Sequence, residues 1–297
     1  MILDSFIHYT KVDLMPGVPL YVYALKGNHF SILIDTGINQ MREQIVGLCK
    51  EASPVKNVLI THAHADHIGC NSAVKNLTNA QFFAAGAINW IEDLEIHYKE
   101  FCIPSEHLPD SEEQRKEILG LMDGPVHVDA IINEGITFRP DDEIDLVTLE
   151  LPGHKLEEVA FLERNSGTLF MGDVLLALAA PFFHGFQTAR GFRKSLKRLE
   201  NMINKNEIKR ILAAHHPPLD QEGSLKSIND TKHFLDQVED ATLNVAKGID
   251  FPALWKNVCS SLNKQFEFRG FAMLEVQVNE LVEEGKLFKE GNKIFRK

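Results

Sequence analysis

The 297-residue chain is 44% hydrophobic and 25% charged, the composition of a globular protein with room for a sizeable core and more than one domain. Its 31 basic and 42 acidic residues leave a formal net charge of -11, which excludes a surface built throughout for nucleic acid but not a local basic face. Cys49, Cys70, Cys102 and Cys259 lie far apart with no CxxC pair, so they read as buried reduced thiols rather than a disulfide framework or a cysteine zinc site.

The N-terminus has no basic stretch ahead of an apolar core, and no run of about 18 apolar residues follows, so a secretion signal and a membrane span are not expected and a reducing cytoplasm is. LYVYALK (20–26) and FSILID (30–35) are short apolar runs about Gly27-Asn28, a hairpin signal. Met41, Ile45, Leu48 and Cys49 recur at helical spacing and predict a helix over 41–52. NVLIT (57–61) reads as a buried strand, 72–77 as a helix and QFFAA (81–85) as another strand, an alternation that favours an α/β architecture.

Residues 86–125 are acidic and helix-like, broken by Pro104 and Pro109, and read as a segment lying over the sheet as a lid. Strands then resume at 144–152, 158–163, 167–173 and 208–215, with an amphipathic helix marked by Phe192, Leu196, Leu199 and Ile203 before the last of them. From about residue 221 only helices follow, at 224–247, 252–263 and 270–284, closed by two short strands around Gly291-Asn292. Three helices closed by a hairpin form a winged-helix-like shape. The expected organisation is a domain over 1–220 with its insertion around 86–125, and a helical C-terminal domain over 221–297.

The chemistry-bearing residues cluster directly after strand 57–61, where His62, His64, Asp66 and His67 fall within six residues. Imidazole and carboxylate are the donors that suit zinc and similar divalent metals. In extended chain His62 and His64 point the same way and can hold one ion together. Asp66 and His67 begin the next helix and face a second ion, the helix N-terminus favouring the carboxylate. Downstream, His154 follows Pro-Gly, Asp173 follows a strand, and His215 and His216 compete for one role, because neighbouring strand residues face opposite ways.

Taken together these segments resemble the metallo-β-lactamase superfamily, the αββα hydrolases. The resemblance rests on LIDTG (33–37), THAHADHIG (61–69), LPGHK (151–155), LFMGDVL (169–175) and LAAHH (212–216), in the family's order and spanning roughly residues 15–220. It implies an α/β (α+β) fold: a four-layer αββα sandwich of two mixed β-sheets, followed here by the C-terminal helical, winged-helix-like domain. It implies that His62, His64 and His154 hold a first metal, that Asp66, His67 and His215 hold a second, that Asp173 bridges them, and that Asp35 orients the histidine loop. The pattern selects His215 over His216, although the family has Gly where His216 stands and Pro-Gly where Ala213-Ala214 stand.

Two Zn2+ ions are the expected cofactors, with Fe or Mn acceptable to the same donors. Such a pair lowers the pKa of a bridging water, so a bridging hydroxide becomes available near neutral pH. Asp66, His154 and Asp173 are the catalytic candidates. There is no serine elbow or P-loop, and neither the glutamate substitution nor the flavin domain of iron-binding redox relatives is present.

For the substrate, Phe182 and Phe183 in 176–190 are expected to form an apolar wall, with His184, His216 and, from the insertion, Tyr98 as further contacts. The expected activity is hydrolysis of a small ester, thioester or lactone, a glyoxalase II-like reaction on a small-molecule partner. The alternative is an endoribonuclease acting on single-stranded RNA, because the tail resembles that of a nuclease branch. Residues 190–210 hold eight basic and two acidic residues, including Arg190 and Arg193, and 251–297 hold eight and six. The missing nuclease insertion domain and the net charge favour the small molecule. The tail could also serve a homodimer; no membrane partner is expected.

Overall fold

The structure is a computed structural model that describes residues 1–102 and 111–297. Its centre is a pair of six-stranded mixed sheets. The first runs β1 (Ile7–Met15), β2 (Val18–Lys26), β3 (Ser31–Ile34), β4 (Val55–Ile60), β5 (Gln81–Ala84) and β6 (Ala130–Ile131) in sequence order. The second runs, from one edge to the other, β12 (Leu219–Asp220), β11 (Arg210–Ala213), β10 (Thr168–Met171), β9 (Val159–Glu163), β8 (Leu146–Glu150) and β7 (Thr137–Phe138). In each sheet a parallel pair lies inside: β3 beside β4, and β10 beside β11.

Side-chain alternation builds the layers. In β2, Tyr21, Tyr23 and Leu25 enter the core between the sheets, while Leu20, Val22 and Ala24 face the helices outside. Phe170 and Leu212 point inward from the second sheet, and Leu169, Met171, Ile211 and Ala213 point to its own helical face. Nearly continuous apolar strands follow, because both faces of each sheet are covered.

The outer face of the first sheet carries α1 (Arg42–Glu51), α2 (Ala65–Ile68), α3 (Asn71–Thr78) and the insertion helices α4 (Ile88–Glu92), α5 (Leu94–Cys102) and α6 (Glu112–Gly120). Pro104 and Pro109 lie outside the described residues. The outer face of the second sheet carries α7 (Ala189–Asn204), α8 (Gln221–Val245), α9 (Phe251–Ser261) and α10 (Phe268–Glu283). This is the expected αββα layering. The C-terminal hairpin, β14 (Leu287–Glu290) with β15 (Lys293–Arg296), gains a third strand, β13 (Lys247–Asp250), that the sequence pattern did not mark. Leu254, Trp255, Val258 and Leu274 of the C-terminal helices share one core with Phe183, Phe192 and Leu196. No described helix is long and apolar enough to cross a membrane.

Phe170 is fully buried between the sheets, edge-on to Tyr23 with 5.9 Å between ring centroids. Phe170→Ala is expected to lose about 3–5 kcal/mol of stability in chemical denaturation; a loss below about 1 kcal/mol would contradict this packing.

Candidate metal centre

The site forms where the carboxyl ends of the two inner parallel pairs meet. Asp35 follows β3, and Thr61 and His62 follow its neighbour β4; Asp173 follows β10, and His215 follows its neighbour β11. Backbone bonds join the two sheets there, Val159 N–H to Thr61 O at 3.0 Å and Tyr21 N–H to Ala214 O at 2.8 Å. His154 comes from the loop between β8 and β9, and Asp66 and His67 from the short α2. Gly172 is required beneath them: a Cβ there would sit 2.6 Å from Thr61 Oγ1 and 2.9 Å from His62 Nδ1.

The donor atoms gather in two groups. His62 Nε2 lies 3.1 Å from His64 Nδ1, and His154 Nε2 lies 2.9 Å from the same His64 nitrogen. Asp173 Oδ2 faces His154 Nε2 at 3.4 Å and His62 Nε2 at 3.8 Å. On the other side, Asp173 Oδ1 lies 3.3 Å from His67 Nε2 and 3.4 Å from His215 Nε2, and His215 Nε2 lies 3.2 Å from Asp66 Oδ2. Metal bonds of 2.0–2.1 Å in a tetrahedron place ligand atoms about 3.3 Å apart, the spacing seen here. Among the described residues, His67 Nε2 and Asp173 Oδ1 are buried without a hydrogen-bond partner. Buried lone pairs aimed at one another are unfavourable unless a cation lies between them, so the donor set fits divalent metal.

Neighbouring groups fix which nitrogen each ring presents. Asp35 Oδ2 accepts from His67 Nδ1 at 2.8 Å and from the Thr61 hydroxyl at 2.8 Å, and Asp35 Oδ1 accepts the Thr61 N–H at 2.8 Å. Asp35 does this from a left-handed backbone conformation, φ 59°, the kind of strain that a surrounding network over-determines. His154 Nδ1 donates to Gly185 O, and His215 Nδ1 to Pro19 O, both at 2.8 Å. Each hydrogen bond leaves Nε2 with its lone pair toward the centre.

Charge divides the site. Burial holds His62 and His64 well below the usual imidazole range and brings His154 to about 3, so these three rings are ready ligands. His67 and His215 go the other way: burial opposes their charge, but Asp173 and Asp66 outweigh it. For Asp66 and Asp173, burial is in turn outweighed by His67 and His215, and both carboxyls stay below the usual range.

One neighbour adds to the expected set, and His184, expected as a substrate contact, stands against Asp173. Glu158, immediately before β9, is buried and accepts the Asp173 N–H at 2.6 Å; burial and then Asp173 raise its carboxyl well above the usual range. An acidic residue opening the run 158–163 was the one available sequence signal for it. His184 reaches the centre itself. Ala177 N–H donates to His184 Nδ1 at 2.8 Å, so the ring hydrogen is on Nε2, which donates to Asp173 Oδ2 at 2.7 Å. A nitrogen that carries hydrogen does not bind metal, so His184 orients the Asp173 carboxylate, although its ring lies near those of His154 and His215.

Other expected contacts are placed differently. Phe182, Phe183 and His184 line the cavity above the centre, but His216 and Tyr98 do not. His216 Nε2 bonds Leu175 O at 3.2 Å, because the chain has left β11 at Ala213 and turned. Tyr98 is 1% exposed, with its hydroxyl toward Ser111 O, because α5 turns that face into the outer core. Arg190 and Arg193 are engaged by Glu283 and by Asp236 and Glu239.

Asp35→Asn keeps the shape but loses one accepting oxygen, so metal affinity, read by competition with a chromophoric chelator, is expected to fall about 10–100-fold. His184→Ala is expected to keep the wild-type metal content in elemental analysis; loss of one ion per chain would make His184 a ligand.

The sequence model described as the metallo-beta-lactamase superfamily matches residues 15–215. Among curated proteins, the probable metallo-hydrolase YybB of Bacillus subtilis (strain 168) is 23% identical over 170 residues, 56% of this chain and 66% of its own length. Among solved structures, the metallo-beta-lactamase family protein TTHA1429 from Thermus thermophilus superposes with a TM-score of 0.75 at 21% identity over 100% of both chains. A beta-lactamase domain protein from Burkholderia ambifaria gives 0.73 at 15% identity, covering 100% of this chain and 93% of its own. At these identities the structural likeness speaks for the fold, and it takes in the C-terminal helices. The family match spans all seven expected donor positions, and on it the chain belongs to the metallo-β-lactamase superfamily, a superfamily of metal-dependent hydrolases.

Proposed function

We propose that the protein uses two divalent ions, zinc in the first instance, to hydrolyse a small, largely apolar ester, thioester or lactone. The carrying observation is where the donors lie: His64, Asp66, His154, Asp173 and His215 sit in the wall of a cavity of about 560 Å³ whose remaining lining is mainly aliphatic and aromatic. Bound there, the ions would supply an activated water and Lewis acidity toward a carbonyl oxygen. His62, His64 and His154 would hold one ion, Asp66, His67 and His215 the other, and Asp173 both.

The protein's own groups support the reaction around that centre. The Asp66 side chain is 25% exposed where that of Asp173 is 1%, so Asp66 is the carboxylate placed to accept a hydrogen bond from the attacking water. Asp173 is held on both sides, by the Glu158 carboxyl at its N–H and by His184 at Oδ2. Phe101 and Trp90, with ring centroids 5.0 and 6.2 Å from that of His64, cover the site and keep bulk water from it. The cavity's own lining includes Asp13, Glu100 and Glu117 against only Lys155 and Arg269, and Arg190, Arg193 and Arg198 are engaged in ion pairs on α7. A polyanion such as RNA meets little complementary charge there.

A panel of an aryl ester, an acyl thioester, a lactone and a single-stranded RNA, assayed with zinc-loaded protein, tests the proposal. At least one of the first three is expected to be turned over, with Asp173→Ala or chelation returning the rate to background. RNA cleavage lost in Asp173→Ala, with no turnover of the others, would contradict it.

A further inference from the structure

The C-terminal helix α10 reaches into the same cavity. Phe268, Arg269, Ala272 and Met273 line it together with Phe182 and the metal donors. The Arg269 guanidinium lies over two rings, 4.3 Å from the centroid of Phe182 and 4.5 Å from that of Phe268. Its Nη1 donates to Glu267 Oε2 at 2.7 Å, and its remaining N–H groups have no hydrogen-bond partner among the described residues. Arg269 is therefore stacked against rings, with one nitrogen taken and a donor edge left at a cavity whose lining is mainly apolar. The side chain is 27% exposed, which leaves that edge accessible, and two parallel N–H groups match a planar two-oxygen anion.

The position relative to the metals is bounded by ring contacts: Phe268 lies 5.2 Å from Phe101, which lies 5.0 Å from His64. The intervening wall is apolar. We propose that Arg269 is the specificity-determining residue of this cavity and receives a carboxylate that the substrate carries at the end remote from the scissile bond, across a short aliphatic or aromatic spacer. The substrate class is thus an ester or thioester of a half-acid rather than of a simple fatty acid. The neighbouring acids Asp13, Glu100 and Glu117 also line the cavity, but Glu100 is taken by the Trp90 indole N–H at 2.5 Å. This inference rests on the hydrolase reading for its reaction, but its binding component can be measured apart from it.

The test uses the metal-loaded full chain and two probes, the mono-4-nitrophenyl ester of adipic acid and the same compound with its free carboxyl methylated. Wild type is expected to prefer the free acid about tenfold or more in kcat/KM, through KM. Arg269→Met retains the apolar stem between the two rings. It is expected to raise KM for the acid about 10–100-fold and to leave kcat and the constants of the methylated probe within about twofold. Arg269→Lys should recover part of the preference. Calorimetry with the monoanilide of adipic acid reads binding without ester turnover, and its affinity should fall by the same factor in Arg269→Met. Equal turnover of both esters, with anilide binding unchanged in Arg269→Met, would overturn the inference while leaving the hydrolase reading intact. Arg269-dependent anilide binding with neither ester turned over would support the carboxylate site and count against that reading.

Discussion

Asp35 and Asp173 are buried against histidines whose donor atoms converge with those of Asp66 and Asp173. Removing that much charge and that many lone pairs from water is tolerable only if a cation is shared among them. The surroundings follow from this. Two sheets bring the carboxyl ends of their inner parallel strands to one edge, backbone bonds cross between them there, and Asp35 takes a strained backbone to reach both Thr61 and His67. The close spacing of side chains from separate segments is helped by anchors behind three of the rings: Asp35 behind His67, the Gly185 carbonyl behind His154 and the Pro19 carbonyl behind His215.

The cavity above the centre is assembled from parts far apart in sequence. The β1–β2 hairpin, the insertion helices, the loop after Asp173 and α10 each contribute a wall. The C-terminal helices therefore do two things at once: they cover the outer face of the second sheet and they shape the space a substrate must enter. Variation in that segment can change specificity without touching the metal ligands, since chemistry and recognition reside on different elements.

The convergence of these histidines and aspartates was legible because imidazole and carboxylate at such spacing after a buried strand have few other uses, and because strand-end positions converge in this architecture. What surrounds them was less so. The orientation of His184 depends on the Ala177 N–H, a backbone group that no side-chain pattern reveals. Alternation within a strand separates His215 from His216 only while the strand lasts, and β11 ends at Ala213; the Pro19 carbonyl decides instead. Tyr98 shows that a helical stripe reads alike whether it faces a core or a pocket. The edge strands β6, β7 and β12, two residues each, are too short to carry a period, and Arg269 gains its meaning only from Phe182, which is remote in the chain.

The central claim is that Asp173 joins two ion positions. Anomalous diffraction from crystals of the zinc-loaded protein tests it most directly. Two peaks are expected, one bonded at about 2.0–2.2 Å to His62 Nε2, His64 Nδ1 and His154 Nε2, the other to Asp66, His67 and His215, with one Asp173 oxygen on each. A single peak, or a peak bonded to His184 Nε2, would contradict the account.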